Sequence, residues 1–247
     1  MLKIEEVALR VKDLEKMKTF YQKVIGLEVI SENENEVLLG KPYVRLIAGA
    51  KGVNHAAHTG LYHMAFLLPT EEDLSEFIHH LISNKTEIQG GSDHIFSQAI
   101  YLNDPEGNGI EVYADRKREF WQEDATGLVA ASLPLQIEKL LELAKKEYKK
   151  IPEGTIMGHV HLEVADIYKA KEFYVDKLGF ETMTDMGTAL FVSKDGYHHH
   201  FGMNVWRGAK SPLPKDATGL LYVKLHMDDV ESGVYHDPFG IELRINQ

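Results

Sequence analysis

The chain repeats itself internally, and this repeat restricts the possible folds more than any other feature of the sequence. Residues 6–29 (EVALRVKDLEKMKTFYQKVIGLEV) align without gaps with residues 159–182 (HVHLEVADIYKAKEFYVDKLGFET). Residues 60–69 (GLYHMAFLLP) align in the same way with residues 219–228 (GLLYVKLHMD). The sequence therefore contains four modules, arranged as two similar halves.

The repeat also predicts the secondary structure of the modules. Residues 6–29 and their counterpart each predict a strand, a helix that starts after an Asp and ends in Phe-Tyr, and a Gly at the helix C-terminal side. The closing stretches match as well, NDPEGNGIEVY at 103–113 with HDPFGIELRI at 236–245. Modules 1 to 3 are each predicted to contain a strand, a helix and three strands.

The fourth module is shorter than the second. Gly60 and Glu111 are 51 positions apart, whereas Gly219 and Glu242, the matching residues of module 4, are only 23 positions apart. We therefore predict that module 4 is truncated and lacks the helix and at least one strand.

These repeats set the predicted domain boundaries within the chain. Residues 1–115 hold modules 1 and 2, residues 116–154 form a connector, and residues 155–247 hold module 3 and the degenerate module 4. Part of the connector, PLQIEKLLELAKKEYKK, predicts a helix packed on the outside, because its apolar residues recur at helical spacing. The apolar positions of this stripe are Ile137, Leu140, Leu141, Ala144 and Tyr148.

The amino-acid composition excludes several classes of partner and of metal ligand. The 247 residues carry a formal net charge of −11, which argues against nucleic-acid and anionic-membrane partners. The absence of cysteine excludes disulfides and thiolate chemistry, so any metal must be bound by carboxylates and by some of the thirteen histidines. No apolar stretch resembles a signal peptide or a membrane span, so we expect a soluble cytoplasmic protein, with a homo-oligomer left open.

Two histidines share one predicted strand. In GHVHLEV (158–164), His159 and His161 are two residues apart, so both side chains point to the same face. A lone strand histidine is more often structural than a ligand. The run alone does not choose between core, surface and metal-binding positions.

The repeated modules resemble those of the vicinal oxygen chelate superfamily, which includes glyoxalase I, bleomycin-resistance proteins and extradiol ring-cleaving dioxygenases. The resemblance rests on the Phe-Tyr…Leu-Gly-Phe and Asp-Pro-x-Gly-x-x-Glu strings and spans nearly the whole chain. It implies an α+β fold of tandem βαβββ modules whose sheets curl into incomplete barrels. GHVHLEV, GYHHHFGMNVW (196–206) and GLYHMAFLLP are most similar to two-domain catechol 2,3-dioxygenases.

In that superfamily, metal ligands come from the first and last strands of a module. The matching positions are Glu6 in module 1, His63 and Glu111 in module 2, His159 and Asn204 in module 3, and Tyr222 and Glu242 in module 4. Only modules 2 and 3 together offer two histidines and one carboxylate. The resemblance therefore implies a metal site of His63, Glu111 and His159, a facial triad with open positions for substrate and oxygen.

This ligand set requires an unusual pairing. Better-known extradiol enzymes take all three ligands from modules 3 and 4, whereas here modules 2 and 3 must share a barrel. Modules 1 and 4 then form the degenerate partner, where a truncated module is tolerated. His161 is predicted to line the cavity beside His159.

Further strings favour ring cleavage over the other reactions of the superfamily. HIFSQAIYLNDPEGNGIE (94–111) is similar to the extradiol signature, departing from it at Ser92, and assigns catalytic roles to His94 and Tyr101. Histidine can act as acid or base near neutrality, and Tyr101 can donate to an oxygen that develops charge. In YHHHFGMN (197–204), the match places the histidine that works on bound oxygen at His199, with His200 as the alternative register.

The resemblance thus implies an extradiol dioxygenase that acts on a catechol-like aromatic substrate and O2, with Fe(II), or alternatively Mn(II), as the metal. One alternative is a glyoxalase-type lyase or isomerase that uses the same ligands with Zn or Ni. Another is a non-catalytic protein that binds a small molecule, such as an antibiotic, and needs no metal.

Overall fold

The computed structural model describes residues 1–53, 58–124, 127–129 and 131–247. Within these residues, modules 1 to 3 each contain the predicted strand, helix and three strands. The part of module 4 that follows its first strand contains two strands and no helix in the described residues, in agreement with the predicted truncation. Among the described helices, none has the length and apolar character needed to cross a membrane.

The elements follow the module boundaries in chain order. Module 1 contains β1 (Leu2–Val11), α1 (Leu14–Phe20) with a π-helical turn (Tyr21–Ile25), β2 (Glu28–Glu32), β3 (Glu36–Gly40) and β4 (Tyr43–Ala48). Module 2 contains β5 (His58–Leu68), α2 (Glu71–Ser83), β6 (Gly90–Asp93), β7 (Ser97–Asn103) and β8 (Gly109–Asp115). The connector contains a 3-10 turn (Arg118–Phe120), β9 (Glu123–Asp124), β10 (Gly127–Leu128), β11 (Leu133–Pro134) and α3 (Ile137–Leu141).

Module 3 contains β12 (Ile156–Glu163), α4 (Ile167–Lys171) with a π-helical turn (Glu172–Lys177), β13 (Glu181–Asp185), β14 (Ala189–Ser193) and β15 (Phe201–Asn204). After the short strand β16 (Ser211–Pro212), module 4 contains β17 (Gly219–Met227), β18 (Gly233–His236) and β19 (Glu242–Ile245).

The sheets pair across the two halves of the sequence. The first strand of module 2, β5, runs antiparallel to β12 of module 3, and β1 of module 1 runs antiparallel to β17 of module 4. Each first strand also pairs in parallel with the last strand of its own module. Modules 2 and 3 thus form one barrel, called barrel 2–3 below, and modules 1 and 4 form barrel 1–4. This is the cross-pairing that the proposed ligand set requires.

Helix boundaries follow the predicted signals. Asp13 accepts a hydrogen bond from the backbone N–H of Lys16 and so caps α1, and Asp166 caps α4 through Lys169 in the same way. The π-helical turn of module 1 ends at Gly26, whose φ of 81° is left-handed. Such a conformation is costly for residues with a Cβ atom, which explains the Gly in the repeat.

The repeated Phe-Tyr and Asp-Pro-x-Gly strings contact each other within each half. The hydroxyl of Tyr21 donates to the carboxylate of buried Asp104 over 2.9 Å, and Tyr174 donates to Asp237 over 3.3 Å. Both carboxylates also accept backbone N–H groups of their own loops. The two strings therefore bind the helix of one module to the loop before the last strand of the next.

The connector helix is shorter than predicted. α3 ends at Leu141, although the apolar stripe continues to Tyr148. The carboxylate of Glu76 on α2 accepts the backbone N–H groups of Lys145 and Lys146, and Tyr148 is buried with its hydroxyl donating to the carbonyl of Ile25. These tertiary contacts take the place of helical hydrogen bonds, so the prediction of one long helix is wrong.

Candidate metal centre and substrate cavity

Three neighbouring strands bring the predicted ligands together inside barrel 2–3. Ala65 on β5 pairs with Glu111 on β8 and with His159 on β12. His63 lies two residues before Ala65 and therefore points to the same face. Because the side chain of Ala65 is a single methyl group, the three longer side chains can converge over it.

The ligand atoms have the spacing of a metal site. Oε2 of Glu111 lies 3.0 Å from Nε2 of His63 and 3.1 Å from Nε2 of His159, and the two nitrogens are 3.3 Å apart. Ligand atoms about 2.1 Å from one ion and at right angles to each other are about 3.0 Å apart. The geometry therefore matches three adjacent corners of an octahedron.

Hydrogen bonds alone satisfy this cluster poorly. His63, Glu111 and His159 expose only 7%, 3% and 1% of their surfaces, and both ring nitrogens face the same carboxylate oxygen. Nδ1 of His159 is buried with no hydrogen-bond partner among the described residues. A divalent cation would engage all three converging atoms, and two imidazoles with one carboxylate suit Fe(II), Mn(II), Zn or Ni.

The electrostatics favour the protonation states that bind a metal. Burial raises the pKa of Glu111, but the charges and hydrogen bonds of His159 and His63 outweigh it and hold that pKa well below its usual value. Burial lowers the pKa of His159 to about 4. Near pH 7 the carboxylate is therefore ionised and His159 is neutral, as metal ligands must be.

The ligands open onto a cavity of about 550 Å³, within the range of small-molecule sites. Its polar lining includes the three ligands together with His94, Tyr101 and His199. The remaining wall is largely apolar and comes from several elements, including Leu128, Met186, Phe191 and Trp206. The cavity thus offers an aromatic ring both apolar side chains and the ligand cluster.

His94 and Tyr101 form one hydrogen-bonded unit. Nδ1 of His94 lies 2.7 Å from the carbonyl oxygen of Ala131, so this nitrogen carries a proton and donates it. In the neutral ring, Nε2 then accepts from the hydroxyl of Tyr101, also over 2.7 Å. Tyr101 faces Glu111 in the β7–β8 ladder, and burial together with the Glu111 charge raises the pKa of Tyr101 well above its usual value.

The histidine triplet before β15 divides between two surroundings. His199 lines the cavity, and its ring centroid is 4.1 Å from that of His159. His200 does not line the cavity, because its Nδ1 accepts from the backbone N–H of Lys194 and bonds with Ser193. The alternative register at His200 therefore places no side chain at the ligands.

Sequence reasoning missed His198. It is buried, lines the cavity, and contacts Asp115 through Nε2 and His199 through Nδ1. The triplet itself signalled that more than one histidine was buried there, because apolar residues follow it directly. Only the fold, however, brings Asp115 of β8 next to the triplet.

His161 lines the cavity, as predicted, and its surroundings show why it is not a ligand. The amide of Asn204 donates to its Nε2 over 3.0 Å, while the amide oxygen accepts from Trp206. The ring packs against Gly202, where a Cβ atom would lie only 3.0 Å from it. The nitrogen that would bind a metal is thus already engaged.

The equivalent positions of barrel 1–4 hold an ion pair. In the ladders Glu6 corresponds to His159, Tyr222 to His63 and Arg45 to Gly202. Arg45 donates two hydrogen bonds to Glu6, of 2.7 and 3.0 Å, and the Tyr222 hydroxyl donates to the same carboxylate. Barrel 1–4 thus has a guanidinium group beside Ala8, where barrel 2–3 has the ring of His161 beside Gly202.

The predicted match of Glu242 with Glu111 is wrong. Lys224, the counterpart of Ala65, pairs with Arg244, and Tyr222 pairs with Glu242. The position of Glu111 is thus taken by Arg244, whose guanidinium lies over the Tyr222 ring at 3.5 Å from its centroid. Barrel 1–4 offers no second set of ligands among the described residues.

Histidines outside the cavity make structural contacts. His79 bonds to the carbonyl of Leu141, and His80 bonds to that of Lys23. His58 starts β5, while His55 lies outside the described residues.

Comparison with known proteins links this geometry to characterised sequences. Residues 3–112 match the family described as the Glyoxalase/Bleomycin resistance protein/Dioxygenase superfamily. The chain is 40% identical to "Catechol-2,3-dioxygenase" of Bacillus subtilis (strain 168) over 251 aligned residues, which cover 95% of this chain and 88% of that protein.

Solved structures share the fold at low sequence identity. A candidate dioxygenase from Bacillus subtilis subsp. subtilis str. 168 superposes with a TM-score of 0.68 and 13% identity, covering 98% of this chain and 84% of that one. Glyoxalase I from Zea mays superposes with a TM-score of 0.60 and 13% identity, covering 99% and 92%. These similarities support the architecture of paired modules.

Proposed function

Because the chain belongs to the Glyoxalase/Bleomycin resistance protein/Dioxygenase superfamily, we propose that it is an extradiol dioxygenase that opens a catechol-like ring with O2 at the His63–Glu111–His159 site. One observation carries the proposal. The ligand cluster shares its cavity with His94, Tyr101 and His199, in a chain 40% identical to a protein named for this activity. We propose Fe(II) as the metal, with Mn(II) as the alternative.

The three side chains that would hold the metal all line the cavity, so a metal bound by them would be accessible to substrate and O2, as this chemistry requires. Fe(II) bound there supplies open coordination positions at which the two catechol oxygens and O2 can meet. Among the ligands only Glu111 carries a negative charge, so the site keeps a net positive charge that favours a catecholate. The apolar wall formed by Leu128, Met186 and Phe191 holds the ring and excludes water.

His94 and Tyr101 act together on the substrate side. In the neutral state, the Tyr101 proton is shared with Nε2 of His94 and does not point at a substrate. When His94 takes up a proton on Nε2, Tyr101 becomes the acceptor of that hydrogen bond and can donate its own proton into the cavity. The pair can thus accept a catechol proton and stabilise an oxygen that develops charge.

His199 lies on the other side of the ligand cluster, in ring contact with His159 and Phe191. We propose that His199 exchanges a proton with the oxygen atoms that derive from O2. The ring is buried, so proton exchange takes place without competition from bulk water.

An assay of two reactions tests the proposal. The purified chain, reloaded with Fe(II) without oxygen, should consume O2 with catechol and form a yellow ring-cleavage product. The same preparation should not isomerise the hemithioacetal of methylglyoxal and glutathione. Hemithioacetal turnover with Zn or Ni and no O2 uptake would identify a glyoxalase-type lyase. A chain that binds no metal by elemental analysis would be a non-catalytic binder.

A further inference from the structure

A chain of three side chains leads from the wall of barrel 2–3 to the cavity. Asp115, at the end of β8, bonds through Oδ1 to Nε2 of His198 over 3.1 Å. Nδ1 of His198 lies 2.7 Å from Nδ1 of His199, which lines the cavity. Both histidines are buried, so water does not compete for these hydrogen bonds.

The order of donors and acceptors follows from the end of the chain. A carboxylate only accepts, so Nε2 of His198 must donate to Asp115. In the neutral ring, Nδ1 of His198 is then an acceptor, and Nδ1 of His199 must donate to it. This leaves Nε2 of His199 with a lone pair, and His199 has no other hydrogen-bond partner among the described residues.

The surroundings hold this arrangement in place. The His198 ring stacks on Phe96 at a centroid distance of 4.4 Å and an interplanar angle of 20°. The second carboxylate oxygen of Asp115 accepts from the hydroxyl of Tyr197 over 2.9 Å. The carboxylate and the middle ring are therefore fixed from two sides, as an orienting pair must be.

We propose that Asp115 and His198 are positioning residues, which hold His199 in the tautomer that presents an unprotonated Nε2 to the substrate cavity. The inference rests on the proposed dioxygenase function for its catalytic consequence. In this tautomer the Nδ1 proton of His199 is held by His198, and the Nε2 lone pair is the hydrogen-bond acceptor that His199 offers on the cavity side.

Asp115→Asn should reverse the order of donors. The new amide can donate to Nε2 of His198, which then carries its proton on Nδ1 and donates to His199, leaving the His199 proton on Nε2. We expect kcat to fall about 10²–10⁴-fold, since the wrong tautomer removes the acid–base group. KM should stay within about threefold and the iron content should not change, because neither residue is a ligand.

A spectroscopic readout separates orientation from activity. Ring ¹⁵N correlation spectra of the metal-free chain, assigned with His199→Gln, should show His199 protonated on Nδ1 in the parent and on Nε2 in Asp115→Asn. Asp228→Asn is the matched control, because it makes the same change in an exposed Asp–His pair, 3.1 Å from Nε2 of His226 and outside the cavity, and should leave the His199 tautomer and kcat unchanged. An unaltered tautomer in Asp115→Asn would overturn the proposal, even if the chain proved to have another activity.

Two substitutions of His198 keep the test independent of the Asp115 variant. His198→Asn places an amide oxygen near the position of Nδ1 and can still accept from His199, so kcat should stay within about tenfold. His198→Phe keeps the stacking but removes the acceptor, and kcat should fall about 10²-fold or more. Adding Asp115→Asn to His198→Phe should then have no further effect. Equal losses in both His198 variants, or additive losses in the double variant, would show a merely structural role.

Discussion

Glu111 is the residue on which the candidate metal site depends most. It supplies the only negative charge, and its Oε2 lies 3.0 and 3.1 Å from the two ligand nitrogens. Glu111→Gln should lower Fe(II) affinity more than about 100-fold, because even partners behind a ligand contribute 10–100-fold. His63→Ala and His159→Ala should act alike, as measured by metal content after dialysis.

The control for this prediction comes from barrel 1–4. Glu242→Gln and Tyr222→Phe change residues on β19 and β17 that do not line the cavity, so the metal content should stay at the parent level. A Glu111→Gln chain that retains its iron would contradict the ligand assignment.

The cavity histidines should affect turnover and spare metal binding. His199→Ala and His94→Ala should bind iron normally and turn over about 10²–10⁴-fold more slowly. Tyr101→Phe loses one hydrogen bond and should cost on the order of 10-fold. Steady-state O2 uptake measures all three, and His200→Ala, outside the cavity, should be close to the parent. If His200→Ala were slow and His199→Ala were active, the catalytic role would belong to His200 and not to His199.

Between elements, the Phe-Tyr and Asp-Pro-x-Gly contacts join helices to loops. Tyr21→Phe removes a buried 2.9 Å hydrogen bond to Asp104 and should lower the free energy of unfolding by about 1–2 kcal/mol. Tyr174→Phe removes the weaker 3.3 Å bond and should cost less. Urea denaturation of the two variants gives the comparison, and equal stability of Tyr21→Phe and the parent would contradict it.

Asp104 should also make stability depend on pH. Burial raises its pKa from 3.8 to about 6, against the opposing hydrogen bonds of Asn108, Glu106 and Tyr21. The folded chain therefore holds a proton between these values that the unfolded chain has released, and the free energy of unfolding falls as pH rises from about 4 to 6. One pKa unit corresponds to about 1.4 kcal/mol, so the total is about 3 kcal/mol.

Asp104→Asn removes this titration. Urea denaturation of the metal-free chains should show the parent's advantage over Asp104→Asn shrinking by up to about 3 kcal/mol between pH 4 and pH 7. Metal-free protein is used because acid also releases a bound metal. An advantage that grows with pH would mean that the hydrogen bonds outweigh burial.

The repeats made most elements predictable, because strand, cap and Gly positions recur with fixed spacing. The connector was not, since Glu76 and Ile25, remote in sequence, replace the hydrogen bonds of its helix. Glu242 was matched with Glu111 because both are glutamates, and this match requires a one-residue gap between the two closing stretches. The strand pairing instead places Arg244 opposite Lys224, the counterpart of Ala65. His198 depends on Asp115, a contact that no local pattern contains.

At the scale of the whole molecule, the two barrels have the same strand arrangement but differ in what occupies their interiors. Barrel 2–3 keeps space beside its ligands, whereas barrel 1–4 fills that space with the Arg45–Glu6 pair. Arg45→Ala leaves buried Glu6 with the Tyr222 hydroxyl but without the guanidinium. The free energy of unfolding should fall by about 3 kcal/mol, the lower end for a broken buried pair because Arg45 is partly exposed.

Metal content and kcat should not change in Arg45→Ala, since barrel 2–3 does not use this residue. Arg10→Ala on β1, the strand that carries Glu6, is the matched control; the contact of Arg10 to the Ala217 carbonyl is a long 3.4 Å, so the loss should be less than about 1 kcal/mol. Replacing both members of the pair, as in Glu6→Gln with Arg45→Met, should recover most of the loss. A double variant no more stable than Arg45→Ala would contradict the ion-pair explanation.

The cross-pairing also determines the order in which the two barrels can fold during protein synthesis. Barrel 2–3 is one continuous stretch from β5 to β15, whereas β1 must wait for β17, which the ribosome reaches roughly 10–40 s later at 5–20 residues per second. During this interval the nascent chain can close barrel 2–3, which holds the candidate metal site, while one edge of β1 stays unpaired. An open edge of this kind is where chaperones, or a second chain on the same polysome, can pair with it.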